Sequence, residues 1–307
     1  MRSARPKELY QVIEIDHISK TFSGTRGLDD VSIRIEPGEM VALIGSSGSG
    51  KSTLIRHICG LSAADRDRGS IRVNGHIVQE KGVISSRIRS IRSQIGVIFQ
   101  QFNLVDRMSV FGNVCLGALH RTPLWRSLTG LYSREVCELA QKSLARVGIL
   151  DKAAERTSNL SGGQQQRAAI ARALVQKASV LLADEPIASL DPATSQTVMQ
   201  ILRDLNEKDG LTVLVSLHQV DYALNFCRRT IALRSGRVVY DGPSAALTSD
   251  FLKKLYGGSD LIMSGSGMPA DDDDALTGAR PLPMCSATAS TLRTASVWQT
   301  PATSTAV

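Results

Sequence analysis

Residues 40–60, MVALIGSSGSGKSTLIRHICG, decide how this chain folds. Met40 to Ile44 are five consecutive apolar residues, a run that fits a strand buried on both faces. The loop Gly45-Ser46-Ser47-Gly48-Ser49-Gly50-Lys51-Ser52-Thr53 follows, and a helix is predicted from Ser52 to Gly60. A glycine-rich loop between strand and helix is the context that a phosphate-binding loop requires. The glycines let backbone N–H groups turn inward around a β-phosphate, and the helix N-terminus adds its partial positive charge. In this reading Gly45 to Thr53 cradle the phosphates of ATP, Lys51 bridges the β- and γ-phosphates, and Ser52 ligates Mg²⁺.

Outward from this loop, short apolar runs at Val97–Phe99, Val180–Ala183 and Thr212–Leu217 match Met40–Ile44 in character and predict a parallel core sheet. Helical patterns at Gln164–Gln176, Pro192–Lys208 and Gln219–Cys227 alternate with them, which argues for an α/β fold. Ile13–Phe22, Val31–Ile35 before Pro37-Gly38, and Ile71–Val73 before Asn74-Gly75 predict an antiparallel β layer near the amino terminus. Between about Ser85 and Asn159 the strand signal fades and helices such as Arg134–Val147 dominate, so a helical subdomain is expected there. Ile231–Leu233 and Val238–Tyr240, joined at Ser235-Gly236, predict a closing hairpin.

The expected organisation is one domain over residues 1–256, its core made of 1–84 and 160–256 and its helical part of about 85–159. A tail over 257–307 follows, rich in Ser, Thr and Ala, with an acidic run at Asp271–Asp274 and no periodicity; such composition predicts disorder. The tail carries five acids and two bases, which leaves 34 basic and 24 acidic residues in the body, a net charge of +10. That surface suits nucleotide phosphates, anionic lipid or nucleic acid, and equally a solvated face. The longest apolar runs are strand-length, short of the roughly 18 residues of a membrane span. The charged first twenty residues do not resemble a secretion signal. Cys59, Cys115, Cys137, Cys227 and Cys285 are odd in number and form no CxxC pair, so reduced thiols in a cytosolic protein are expected rather than disulfides or zinc.

Two further stretches carry chemistry. Leu181-Leu182-Ala183-Asp184-Glu185 sets two acids just after a buried strand, at the carboxyl edge where α/β proteins bind ligands. Asp184 is expected to hold the metal through water, and Glu185 to act as general base on the attacking water. Leu160-Ser161-Gly162-Gly163-Gln164 offers a hydroxyl and two glycines at a helix start, a second anion site.

With that pentapeptide the sequence resembles the ATP-binding cassette (ABC) family of transporter ATPases, over about residues 8–250 and in the family's motif order. The resemblance implies a P-loop NTPase core, with Phe22 stacking on adenine and Gln100 contacting Mg²⁺ and water while reporting to the membrane partner. It places Ser189-Leu190-Asp191 in the loop crossing a dimer interface and makes His218 the sensor of the γ-phosphate. Two copies are expected to pair head to tail, so that Ser161, Gly162, Gly163 and Gln164 of one chain meet the nucleotide held by Lys51 of the other. Hydrolysis then separates the pair.

Within the family, DEPIASLDP (184–192), LHQVDYAL (217–224), FQQFNLV (99–105) and the GAL and TPLWR stretches of 117–126 resemble the phosphonate-import ATPases. That implies permease subunits, a periplasmic phosphonate-binding protein and a peripheral place on the cytoplasmic side of a bacterial inner membrane. Another oxyanion, a phosphate ester, phosphite or an amino acid are the alternative cargoes. Cassette ATPases that act on nucleic acid or ribosomes carry long coiled coils or paired cassettes; this chain has one phosphate loop and no long heptad run, so no nucleic-acid partner is expected. The basic residues Arg87, Arg89 and Arg92 suggest either a face toward the permease or lipid, or a plain solvated helix.

Overall fold

The computed structural model describes residues 12–256 apart from 67, 124 and 127–129. In chain order the strands are β1 Ile13–Phe22, β2 Thr25–Ile35, β3 Met40–Ile44, β4 Ser70–Val73, β5 His76–Glu80, β6 Val83–Ile84, β7 Ile95–Ile98, β8 Val180–Asp184, β9 Thr212–Leu217, β10 Arg229–Arg234 and β11 Arg237–Pro243. The α-helices are α1 Lys51–Ile58, α2 Ile88–Arg92, α3 Val110–Cys115, α4 Arg134–Arg146, α5 Gly162–Gln176, α6 Pro192–Asp209, α7 Val220–Phe226 and α8 Ser249–Tyr256. Five strands form an antiparallel sheet in the order β2-β1-β4-β5-β6. Six form the second sheet, β11-β10-β3-β9-β8-β7, parallel except for the edge strand β11.

Strand alternation explains how α1 is held. Val41 and Leu43 of β3 point to one face with Val180, Leu182 and Leu214, and there meet Leu54, Ile55 and Ile58 of α1 together with Ile13, Ile15, Ile71 and Val73 of the antiparallel sheet. Met40, Ala42 and Ile44 point to the other face, toward Leu181, Ala183, Val213 and Val215 and the apolar stripes of α5 and α6. The helix that follows the phosphate loop is therefore clamped between two sheets. Burying Leu54, Ile55 and Ile58 completely stabilises that clamp by about 2 kcal/mol each, so the loop is mounted on a rigid base.

Helices α3, α4 and α5 pack on one another beside the parallel sheet. Their starts are set by serine caps: Ser109 Oγ accepts from Gly112 N–H, Ser133 Oγ from Val136 N–H and Ser161 Oγ from Gln164 N–H. The fully buried Asn113 amide joins α3 to its surroundings, accepting from Val105 N–H and donating to Val105 O and Thr157 Oγ1.

Several elements depart from the sequence expectation. The core strand expected at Val97–Phe99 is the edge strand β7, Ile95–Ile98, paired to β8 from Ile95↔Val180 to Ile98↔Ala183, so the helical part begins after it rather than at about Ser85. Strand β2 begins at Thr25 rather than Val31, its polar first residues being held by pairing with β1. The strand β5 and the short helix α8 stand where no element was expected from the sequence. Arg92 does not face solvent freely: its guanidinium donates to Cys59 O and Gly60 O at the end of α1. Cys59, Cys115 and Cys227 are buried free thiols, Cys137 is half-buried and free, and Cys285 and the whole 257–307 tail lie outside the described residues. No described helix is long and apolar enough to cross a membrane.

Candidate functional site

The parallel register brings the motifs together. Ile44 of β3 pairs with Leu217 of β9, and Asp184 of β8 pairs with Ser216 of β9. The residues that follow these pairs therefore emerge side by side at the carboxyl edge: Gly45, Glu185 and His218, with Gln100 two residues beyond β7. A chamber of about 450 Å³ opens there, lined by Ser46, Ser47, Glu185, Ser216, His218, Gln219 and Tyr256 among others.

The loop is built on glycines that nothing else can replace. Gly45 has φ of 149°, and a Cβ on it would lie 2.3 Å from Leu233 O. Gly50 has φ of 107°, and its Cβ would lie 2.5 Å from Gly27 O. Lys51, 4% exposed, donates from Nζ to Gly45 O at 2.7 Å and to Ser46 O at 3.2 Å, which keeps its ammonium over the loop. Burial lowers its pKa from the ordinary lysine value, opposed by the charges of Glu185 and Asp184.

Beside it, Ser52 Oγ donates to Asp184 Oδ1 at 2.9 Å. Ser216 Oγ donates to the same oxygen at 2.9 Å and accepts the Glu185 N–H at 2.8 Å. Ser216 thus fixes both acids at once. Glu185 sits at φ of 51°, a left-handed conformation uncommon outside glycine and often found where a side chain is aimed for function. His218 Nε2 donates to Glu185 Oε1 at 2.6 Å. That hydrogen bond keeps the Glu185 carboxyl below the ordinary glutamate range, against the desolvation that would raise it.

Of the remaining residues singled out in the sequence, Gln100 is exposed at its strand end and Phe22 is 47% exposed. The Phe22 ring lies over Gly27, where a Cβ would come within 2.9 Å of it, with Lys20 Nζ 5.4 Å from its centroid. Ser161 and Gln164 form a reciprocal capping box, Ser161 N–H donating to Gln164 Oε1 at 2.9 Å and Ser161 Oγ accepting from Gln164 N–H at 3.3 Å. Ser161 and Gly162 are exposed, Gly163 is buried against Thr194, and none of the four lines the chamber of the same chain. Asp191 caps α6 by accepting Thr194 N–H at 3.0 Å.

Three contributors escaped the sequence reading. Ser216 was hidden inside an apolar strand, its only signal being a polar residue two places before His218. Arg172 of α5, half-buried, donates to Asn103 O at 2.6 Å and Phe102 O at 3.1 Å, tying the helix that Ser161 caps to the segment after Gln100. Tyr256 reaches the chamber from the end of α8, and no local motif marks it.

Residues 28–188 match the family described as ABC transporter. A relative from Paraburkholderia xenovorans is 57% identical over 270 residues, spanning 87% of this chain and 90% of its own length. The chain belongs to the ABC transporter ATPase family. The Paraburkholderia relative of this cassette is named phosphonates import ATP-binding protein PhnC, as is one from Stutzerimonas stutzeri at 56% identity over 246 residues, 80% of this chain and 89% of that one. Among solved structures the cassette resembles the dimeric structure of MJ0796, a bacterial ABC transporter cassette, at 33% identity and a TM-score of 0.67, covering 76% of this chain and all of the other. The dimeric post-hydrolysis state of MJ0796 bound to ADP and Pi is similar too, with a TM-score of 0.65 and the same identity and coverage. As an ABC cassette with these motifs, the protein binds and hydrolyses ATP.

Proposed function

We propose that this cassette is the ATP-hydrolysing subunit of a bacterial phosphonate importer, bound peripherally to its permease on the cytoplasmic face of the inner membrane and fed by a periplasmic phosphonate-binding protein. The names of the relatives support the cargo. One observation carries the chemistry: Glu185, next to the phosphate loop, is held by His218 at 2.6 Å and kept ionised by it.

In this mechanism Gly45 to Thr53 wrap the phosphates, with Lys51 turned from the loop carbonyls to the β- and γ-oxygens. Phe22 offers its exposed ring to adenine. Ser52 and Asp184 fit Mg²⁺: both are hard oxygen donors, and among the described residues Asp184 pairs with no Lys, Arg or His but accepts hydroxyl protons from Ser52 and Ser216. Because Ser52 Oγ donates to Asp184, its lone pairs are free for the metal. Bound there with Gln100 nearby, the ion would neutralise charge on the β- and γ-phosphates. Glu185 takes the proton of the attacking water, and His218 exchanges its hold on Glu185 for the γ-phosphate.

The signature residues need a second copy. Ser161 Oγ accepts its capping bond and keeps its own proton to donate, and Gly162 is exposed, yet neither lines the chamber of its own chain. A head-to-tail pair brings Ser161, Gly162, Gly163 and Gln164 onto the partner's nucleotide at the start of α5, with Ser189–Asp191 between the copies.

Growth on a phosphonate as sole phosphorus source tests the reading, in cells lacking the gene and complemented with the parent or with Glu185→Gln. Rescue by the parent alone is expected. Failure of both, with phosphonate breakdown intact, removes phosphonate as cargo; equal rescue by both removes Glu185 as the base.

A further inference from the structure

Among the described residues two carboxylates are buried, Asp184 of the proposed metal site and Asp29 of β2, 9% exposed. A buried carboxylate has to be paired, and two arginines pair this one. Arg237, which opens β11, donates from Nε to Asp29 Oδ2, and Arg26 donates from Nη1 to Asp29 Oδ1, each at 2.5 Å. The Arg237 hydrogen bond, joined by the charges of both arginines, holds the Asp29 carboxyl below the ordinary aspartate range against desolvation. Backbone bonds run from the same residue to the phosphate loop: Asp29 N–H donates to Gly236 O at 2.9 Å, and Gly236 N–H to Ser49 O at 3.0 Å. The mechanism above uses none of these contacts. Two residues before Asp29, Gly27 touches both ends of the nucleotide site. A Cβ on it would meet the Phe22 ring at 2.9 Å, and its carbonyl lies 2.5 Å from the place of a Cβ on Gly50. Residues 21–26, the hairpin tip that carries Phe22, are all exposed, so packing alone holds that tip weakly.

We propose that Asp29, fastened to Arg237 and Arg26, is a positioning residue that sets the Phe22 ring at a fixed span from the phosphate loop, so that one ATP meets both at once. The inference rests on Phe22 being the adenine platform. Binding through two subsites gains from both only when they are held at the span of the ligand. The Asp29–Arg237 pair ties the hairpin of β1 and β2 to β11, and the Gly236 backbone ties β11 to Ser49 of the loop. With that tie cut, the ring can leave the base while the phosphates stay bound. Loosening the tip therefore costs affinity for ATP and spares affinity for tripolyphosphate, which has no base to place. Chemistry at the γ-phosphate lies at the other end of the nucleotide, so turnover of bound ATP is unchanged.

The test uses the full chain with Mg²⁺ and measures Kd for ATP and for tripolyphosphate, together with steady-state ATPase kinetics, on Asp29→Asn, Arg237→Ala, the double variant and Phe22→Ala. Asp29→Asn keeps the size of the side chain and removes its charge; Arg237→Ala cuts the same tie from the exposed side and leaves the core alone, and melting temperature checks the fold of each. The expected result for both single variants is a Kd and KM for ATP about five- to tenfold higher, part of what stacking on an aromatic ring gives a base, with kcat and the tripolyphosphate Kd within about twofold of the parent. The double variant should lose less than the product of the two single losses, as partners in one contact do. A general loosening of the fold weakens both ligands alike. Equal losses for ATP and tripolyphosphate, an ATP Kd within about twofold of the parent in either single variant, or multiplicative losses in the double variant overturn the proposal. Phe22→Ala separates the two levels: if it leaves the ratio of the two affinities unchanged, the adenine platform falls and the tie with it; if it shifts that ratio while Asp29→Asn and Arg237→Ala do not, only the role of Asp29 falls.

Discussion

Replacing Gly163 with alanine puts one methyl group where the fold has no space and the dimer has a use for the backbone. A Cβ built on Gly163 lies 2.2 Å from Thr194 Cγ2, so α5 and α6 cannot keep their present approach. Forcing an extra carbon into such a contact costs about 1–3 kcal/mol, and 2.2 Å against a β-branched, half-buried neighbour argues for the upper half. Alanine's better helix propensity returns at most about 1 kcal/mol, and less in a first turn. The clash therefore wins by about 1–2 kcal/mol, which lowers the melting temperature of a chain this size by roughly 3–6 °C. Thr194→Ser removes the clashing methyl and keeps the hydroxyl that, with Thr194 N–H, holds Asp191. The double variant Gly163→Ala, Thr194→Ser should regain most of the lost melting temperature. ATPase assays on the same three proteins then separate fold from function. If Gly163 also meets the partner's nucleotide, the double variant melts like the parent but turns over slowly. A single variant that melts as high as the parent would refute the argument that close helix approach fixes glycine here.

Lys51→Ala should weaken ATP binding by the loss of a charge-assisted contact of about 1.5–3 kcal/mol, read as a rise of about 10- to 150-fold in Kd. Glu185→Gln should keep ATP affinity and lose turnover, measured by nucleotide binding and phosphate release. The Glu185–His218 pair contributes stability that is present above the ordinary glutamate pKa of 4.5 and is lost as pH falls through the lowered folded value. The melting-temperature gap between the parent and His218→Ala should therefore narrow below about pH 4.5; a gap that widens on acidification contradicts the pairing. Arg172→Lys keeps a charge but cannot fork onto two carbonyls, so stability should fall by about 1–2 kcal/mol in thermal unfolding. Deleting residues 260–307 should leave the ATPase rate unchanged.

What the sequence made legible was local. Met40–Ile44, Thr212–Leu217 and Ile13–Phe22 are strands at the residues where uninterrupted apolar or alternating runs predict them. The phosphate loop, the two acids and His218 each declare themselves within about ten residues, because each needs a particular neighbour in the chain: a strand before it, a helix or turn after it. β7, expected at Val97–Phe99, begins two residues earlier at Ile95, where the short run Ile95-Gly96 follows a helical stretch. β5 was obscured because Gln79, fully buried, looks like a surface residue until its amide is seen holding Ala64 N–H and the carbonyls of His57 and Ser62. A buried polar group satisfied across some twenty residues leaves no periodic trace.

The same distinction explains which parts of the site were missed. Glu185 and His218 follow neighbouring strands, so parallel pairing of β8 and β9 is enough to bring them together, and a motif reading that recognises both strands inherits the contact. Ser216 adds a serine to an apolar strand, and its value appears only when register sets it opposite Asp184. Tyr256 is further still: it depends on α8 folding back after the last strand, and a tyrosine ending a short amphipathic helix reads as packing. Its packing is genuine, since the ring is buried among apolar neighbours, and its hydroxyl lies against the backbone of Gly45, the first residue of the phosphate loop, a contact between chain segments about two hundred residues apart that no local pattern announces.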